Sequence, residues 1–528
     1  MAITTPAGTS RRNFIRLTGT LGVAAGLAAS VAACGKGGKA ASKDGVITAG
    51  ISYELGTNGY DPASTTAALT IAANWHTMEG LTEIHPATRK VYAALAAEMP
   101  KKIDDTTYEV TLRKDAKFSN GSPVTTEDVL YSFQRVIDPA NKSLYAQFLS
   151  FIDKVEAKDA STITFKLKHA FVLLPERLSV VKIVPKAVVE ADPKNFTYKV
   201  VGTGPYKMTD NGAAKQVIVF ERNDHYNGPY PALVKTMKWN IMPDDTTRTN
   251  AMTSGSVQAI DAVPAANLPT FKEPIKVSAL QGFSLLFAMF NNTSFSNVKA
   301  RQAVLYALDY DKICKDAMAG LATPATCFVQ EGHPAYRKAK TVYSKDLDKA
   351  KALLAEAGIT SIRMLCSDHG WFSGVRPVIR ENLEALGVTV SYDEKKSSDL
   401  YNFIESKDGA NAWDVVIAPG DPSVFGDDAD LLMRWWYEQP VWTEKRMHWK
   451  DSEGQKAIYA LLEEGAKLEG DKQIAKWQEA LDKISEEVPL YPIFHRKSPI
   501  AYNSSTLKDF QPIKLTALSF LGTGSTKS

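Results

Sequence analysis

Lys117-Phe118-Ser119-Asn120-Gly121-Ser122-Pro123-Val124-Thr125-Thr126-Glu127-Asp128-Val129 is the most informative stretch of this 528-residue chain. It reads as a turn that feeds a helix. Gly121 supplies the positive φ of the turn, and Pro123 fixes the backbone entering the next element. Thr125 or Thr126 then caps a helix whose first turn carries Glu127 and Asp128, acids favoured by the positive end of the helix dipole. Residues 107–112 before it alternate in the manner of a strand with one wet face. Residues 162–167 after it repeat the pattern.

Further out, residues 46–51, 216–220 and 236–241 read as strands, and the apolar run 283–290 fits a buried one, being too short to span a membrane. Helices follow. Asn297 caps residues 298–308, Ser344 precedes a helix running to Ala357 and closed by Gly358, and another covers about 375–386 and stops at Gly387. The alternating strand 388–392 comes next. These helix–glycine–strand units predict an α/β layer from about residue 290 onward.

The length is about three typical domains, so more than one folding unit is expected. With 44% hydrophobic and 23% charged residues the chain is ordinarily globular. A formal net charge of +3 disfavours a chain built to wrap nucleic acid. The front end is unusual. Ser10-Arg11-Arg12-Asn13-Phe14-Ile15-Arg16 precedes an uncharged stretch, residues 17–33, that ends Val31-Ala32-Ala33-Cys34. Charge, then apolar, then small residues is the plan of a cleaved signal peptide. The arginine string resembles a twin-arginine export signal, and Val-Ala-Ala-Cys resembles a bacterial lipobox, which implies cleavage before Cys34 and lipid on its thiol. The alternative is a plain Ala-x-Ala cut with Cys34 incidental. Cleavage removes 33 residues and three arginines, leaving 495 residues with 59 basic and 59 acidic side chains.

Cys314, Cys327 and Cys366 match no zinc spacing. Either Cys314 pairs with Cys327, or all three are buried thiols. No phosphate-binding loop, zinc-protease motif or nucleophile elbow occurs. Gly202-Thr203-Gly204-Pro205 lacks the rest of a dinucleotide fingerprint and reads as a tight backbone passage. Asp427-Asp428-x-Asp430 lacks the glycine and distal glutamate of a calcium loop and reads as a solvated acidic turn. No catalytic residue, metal site or cofactor is expected, and the chain is not read as an enzyme.

Several strings, in order, resemble one family. They are Gly59-Tyr60-Asp61-Pro62, Leu95-Ala96, Asp104 to Arg113, the block 117–129, Gly202 to Tyr206 and Arg222-Asn223-Asp224-His225-Tyr226. The helix 297–309, Lys349-Ala350-x-Ala352-Leu353-Leu354 and Val488-Pro489-Leu490-Tyr491-Pro492 complete the series. Over residues 46–500 the chain is similar to the family 5 extracellular solute-binding proteins, the peptide/nickel receptors of ABC importers. The resemblance implies an α/β fold of the two-lobe periplasmic-binding-protein kind: type II, large cluster, with an extra inserted subdomain and a hinged cleft. It places a signal peptide at 1–33, a flexible tether at 34–45 and lobe I at 46–78, 197–288 and 490–528. The inserted subdomain is 79–196 and lobe II is 289–489, with crossings near 288 and 489.

The function implied is a monomeric, lipid-anchored receptor on the outer face of the bacterial cytoplasmic membrane. It captures peptides and delivers them to the transmembrane permease subunits. The same scaffold bound to an oligosaccharide, opine or metal chelate is one alternative, and an exported chaperone or enzyme is another. Binding peptides of any sequence requires recognition of backbone amides and the terminal ammonium, which strand edges and a carboxylate supply. In peptide-binding relatives that acid lies in a "trp-x-x-asp-tyr-x-asp-pro"-like segment. Trp413-Asp414-Val415-Val416-Ile417-Ala418-Pro419-Gly420-Asp421-Pro422 is similar, making Asp421 the expected amine receptor, with Trp413 in the same segment. Pro419 and Gly420 depart from the pattern, and Asp421-Pro422 also reads as a plain turn. Tyr53, Glu54 and Asn58 after the first strand, Phe283 before the first crossing, and Trp371 in the loop 368–374 are further ligand candidates. Trp435-Trp436-Tyr437 with Trp442 and Trp449 is either a sugar platform or core packing.

Overall fold

An eleven-stranded sheet runs through both halves of the protein, and its strand order shows how the chain divides. The computed structural model describes residues 42–53, 55, 59–397 and 399–528. The export signal, Cys34 and the tether as far as residue 41 lie outside the described residues, as do Glu54 and Asn58. The described chain begins tied down: the Ser42 N–H donates to the Ser525 carbonyl at 2.9 Å, and the Val46 N–H to that of Lys527. Residues 42–45 of the expected tether are therefore fixed to the body.

In the first half, β1 (Val46–Ile51) lies parallel to β10 (Thr236–Ile241) on one side and β11 (Ala259–Ile260) on the other. Beyond β10, β9 (Val217–Arg222) and β8 (Tyr206–Asn211) continue the sheet antiparallel. The second half holds β14 (Ser361–Ser367) between β15 (Thr389–Lys395) and β16 (Val415–Gly420), all parallel. Two long antiparallel strands join the halves, β12 (Ile275–Phe290) and β17 (Leu490–Asn503), with β13 (Ala322–Pro324) paired to β17. The apolar run 283–290 is the fully buried end of β12, where β16 and β17 flank it.

The segment between β1 and β8 carries the hairpin β2 (Thr82–Ile84) and β3 (Val91–Ala93). It also carries a separate antiparallel sheet of β4 (Lys101–Asp104), β5 (Thr107–Thr111), β7 (Thr162–Leu167) and β6 (Ile152–Ala157), in that order. The helix Thr126–Ile137 packs on it through Phe133, whose ring meets Phe165 edge-on at 5.0 Å. The turn before this helix has the expected geometry. Gly121 has φ +89°, and Thr125 and Asp128 form a reciprocal capping box. Gly202 lets the chain pass beneath the end of the helix Ala68–Thr77, since a Cβ there would sit 2.2 Å from the Thr77 carbonyl oxygen.

Two large apolar cores result. The first gathers residues such as Ile47, Phe220, Trp239 and Leu518. The second fills the other half of the sheet and runs on into the inserted sheet, through Phe148 stacked on Trp435 (5.9 Å) and Tyr145 against Phe425 (5.0 Å). The far end of the insert, at Val184, Val189 and Phe196, joins the first core. The insert therefore packs against both halves. Trp435, Trp436, Tyr437, Trp442 and Trp449 are all buried in the second core, which resolves the aromatic cluster as packing. Cys314, Cys327 and Cys366 are free, buried thiols, so the disulfide alternative falls.

The acidic run at 427–430 needs correction. It is a buried ion-pair site and not a solvated turn. Arg177, in the insert, has a fully buried side chain and donates from Nη2 to Asp428 (2.6 Å) and Asp430 (2.7 Å). Arg89 adds a contact from Nε to Asp427 at 2.9 Å. The partners lie about 250 residues or more away along the chain, beyond the reach of local pattern.

Candidate functional site

A cavity of about 380 Å³ lies between the two halves of the sheet. The first half contributes Tyr53 after β1, residues 65–68 ahead of the helix Ala68–Thr77, and Thr516 near the C-terminus. The second half contributes Trp371 and His369 from the loop after β14, Tyr401, and the end of β16 with Asp421. Ser284 of β12 and Arg496 of β17 come from the two joining strands.

Asp421 is held where the parallel strand β16 runs out. Its Oδ2 accepts from the Thr516 N–H (2.9 Å) and the Thr516 hydroxyl (2.8 Å), and its Oδ1 accepts from Ser423. All three donors are neutral. No cation pairs with Asp421 among the described residues. Burial raises its pKa above the ordinary carboxylate value, and the Ser423 and Thr516 hydrogen bonds oppose that rise. Thr516 also ties this edge of the second half to the first. The departure at Gly420 has a packing cause: a Cβ there would lie 2.6 Å from Trp436, whose indole fills the space beneath the strand.

On another part of the wall, alternation along β17 puts Phe494 and Arg496 on the same face. Both meet Trp371. The Phe494 ring stands edge-on to it at 6.3 Å, and the Arg496 guanidinium lies over its face at 4.1 Å. Arg496 is 5% exposed, and its charge acts on the Tyr53 hydroxyl against the rise that burial causes. No carboxylate forms an ion pair with it among the described residues. Asp261 acts on it through space but is itself hydrogen-bonded by the backbone and hydroxyl of Ser52 (2.8 and 2.9 Å). His369 shares this wall and bonds through Nδ1 to Ser367 at 2.6 Å. Burial brings its pKa down to about 4; Asp368 opposes the shift, and Arg496 and Arg376 add to it. The imidazole is neutral at neutral pH. Arg446, the other cavity arginine, is already matched: it donates to Glu405 at 2.7 Å and stacks on Tyr401 and Trp442.

Among the described candidates from the sequence, Asp421, Trp371 and Tyr53 meet in this cavity, whereas Trp413 and Phe283 do not line it. Trp413 is fully buried in the second core, just before β16, where its carbonyl accepts from Asn291. Phe283 points to the opposite face of β12 from Ser284 and packs against Phe328 and Trp436. Arg496, Tyr401 and Thr516 are cavity residues that the sequence did not reveal. Arg496 stands in the polar run His495-Arg496-Lys497-Ser498, which gives no local sign that it faces inward.

A cleft between two lobes that share two long strands defines a hinged ligand-binding protein. The model of the bacterial extracellular solute-binding proteins, family 5 Middle, matches residues 90–455, and the chain belongs to that family. It has the type II periplasmic-binding-protein fold of the family 5 cluster. The glutathione-binding protein GsiB of Salmonella choleraesuis is 25% identical over 515 residues, covering 94% of this chain and 97% of its own. The structure of AgaA from A. tumefaciens R10, solved with agropinic acid, superposes with a TM-score of 0.81 at 25% identity, over 92% of this chain and 99% of that one. The oligopeptide-binding protein AppA of Bacillus subtilis, solved with a nonapeptide, shares the fold at 20% identity, with a TM-score of 0.80 over 92% of this chain and all of its own.

Proposed function

We propose that the protein is the exported, lipid-anchored receptor of an ABC importer, and that it captures short peptides in the cavity between its lobes. The observation that carries this reading is the cavity between the lobes with Asp421 on its wall, a carboxylate that lacks a cation among the described residues. A ligand ammonium would complete it. A sphere of 380 Å³ is about 9 Å across, room for about two or three extended residues at 3.3–3.6 Å each. That size fits glutathione, a tripeptide and the ligand for which GsiB is named, better than the nonapeptide of AppA. Residues 46–78, 197–288 and 490–528 form lobe I in this proposal. Residues 79–196 are its insert, residues 289–489 are lobe II, and β12 and β17 are the hinge. Cys34 carries the lipid, and the receptor works as a monomer that hands its ligand to the permease.

Native mass spectrometry of freshly purified protein tests the ligand class and is expected to show a mixture of co-purified short peptides. The amine role is tested with Asp421→Asn, which keeps an acceptor for Thr516. A charge-assisted hydrogen bond is worth about 1.5–3 kcal/mol, so free dipeptides should bind this variant roughly ten- to a hundredfold more weakly. N-acetylated dipeptides should hardly change. Equal losses for both would remove Asp421 from amine recognition. Lipidation predicts incorporation of labelled fatty acid that is abolished in Cys34→Ala.

A further inference from the structure

We propose that Arg496 is the receptor for a carboxylate on the ligand, so that the cleft selects molecules bearing an acid at one end and an ammonium at the other. This deepens the reading above, since it takes the same cavity as the ligand site. Burying a guanidinium is costly unless an anion meets it. The fold meets that need elsewhere, at Arg177 with Asp428 and Asp430 and at Arg446 with Glu405. Arg496 has no such carboxylate among the described residues, although its side chain lines the cavity.

The geometry around Arg496 prepares it for an anion. Trp371 covers one face of the guanidinium at 4.1 Å and fixes its plane. A guanidinium has five N–H donors along its edge, in the fork that matches a carboxylate bidentately. His369 beside it is neutral and does not compete for the anion. Asp421 and Arg496 form no ion pair with each other, and both line the same cavity. Opposite charges that the fold leaves separate are suited to the two ends of a zwitterion.

The test compares acid and amide pairs on the intact protein, stripped of co-purified ligand by unfolding and refolding. One pair is Ala-Phe and its C-terminal amide, and the other is agropinic acid and its carboxamide. Wild type should bind Ala-Phe about tenfold to a hundredfold more tightly than the amide. The gap should shrink to under threefold in Arg496→Gln and partly persist in Arg496→Lys. The wild-type ratio needs no variant, so misfolding of either variant leaves the test intact. Equal affinity for Ala-Phe and its amide would overturn the role of Arg496 while leaving the peptide reading standing. Binding of agropinic acid alone, tenfold over its amide and lost in Arg496→Gln, would uphold Arg496 and overturn the peptide reading. If neither acid raises the melting temperature, both fall.

Discussion

Arg177 and Arg496 are both buried and both lie over an aromatic ring, Phe171 in one case and Trp371 in the other. They differ in what meets their charge. Arg177 is held by two carboxylates across the contact between the insert and the second half of the sheet. Arg496 is held against an indole face, on the wall of the cavity between the two halves. A charge compensated within the fold is a structural element. A charge that meets no counter-ion among the described residues, inside a cavity, is provision for something that arrives later.

The contrast is open to direct attack. Arg177→Ala strands Asp428 without its cation and leaves Asp430 to Arg434 alone, a change of the kind that costs about 3–5 kcal/mol. Urea unfolding should show a loss of that size, and a loss below about 1 kcal/mol would erase the distinction between the two arginines. A smaller effect concerns protons. His76, His369 and His495 each have their pKa lowered, mainly by burial, from an ordinary 6.5 to about 4. His76 is fixed as the neutral tautomer, with Nε2 accepting the Phe520 N–H at 2.9 Å. As pH falls from about 6.5 to about 4 the unfolded chain takes up these protons first, so stability is full above that window and declines within it. The slope is up to about 1.4 kcal/mol per pH unit for each histidine. NMR titration should find all three rings still neutral at about pH 5, and a ring that titrates near its ordinary 6.5 would refute its burial. Because Arg496 helps to lower His369, Arg496→Gln should move the NMR titration of His369 upward; no movement would mean that the two do not interact. The smallest effect expected is on folding. Arg496→Gln breaks no ion pair among the described residues and should change stability in urea by less than about 1 kcal/mol.

Local physics made much of the fold readable in advance. The strands Val46–Ile51, Thr162–Leu167 and Thr236–Ile241 have the bounds that the sequence pattern predicts. Gly358 and Gly387 take positive φ after their helices, as a C-terminal stop requires. The helix expected after Ser344 begins later, at Leu347, because Asp346 accepts from the Lys349 N–H and makes the cap. The site was less legible, since its walls depend on pairings far apart in the chain. Asp421 and Trp371 came from resemblance, and they reach the cavity because β16 and the loop after β14 end on the same side of the sheet. Arg496 could not be read as inward-facing, because that rests on Trp371, 125 positions earlier. Trp413 and Phe283 were drawn toward the site by sequence position, and the packing of β16 and β12 turns both into the core.

The most direct measurement is the melting temperature of the full mature protein against peptides of increasing length. Ala-Phe and a tripeptide should raise it with concentration, reflecting about 2.7 kcal/mol of added stability at a hundred times Kd, while a nonapeptide should leave it unchanged. A nonapeptide that stabilises as strongly as the dipeptide, or a series in which no peptide stabilises, would contradict a small cleft built for short peptides.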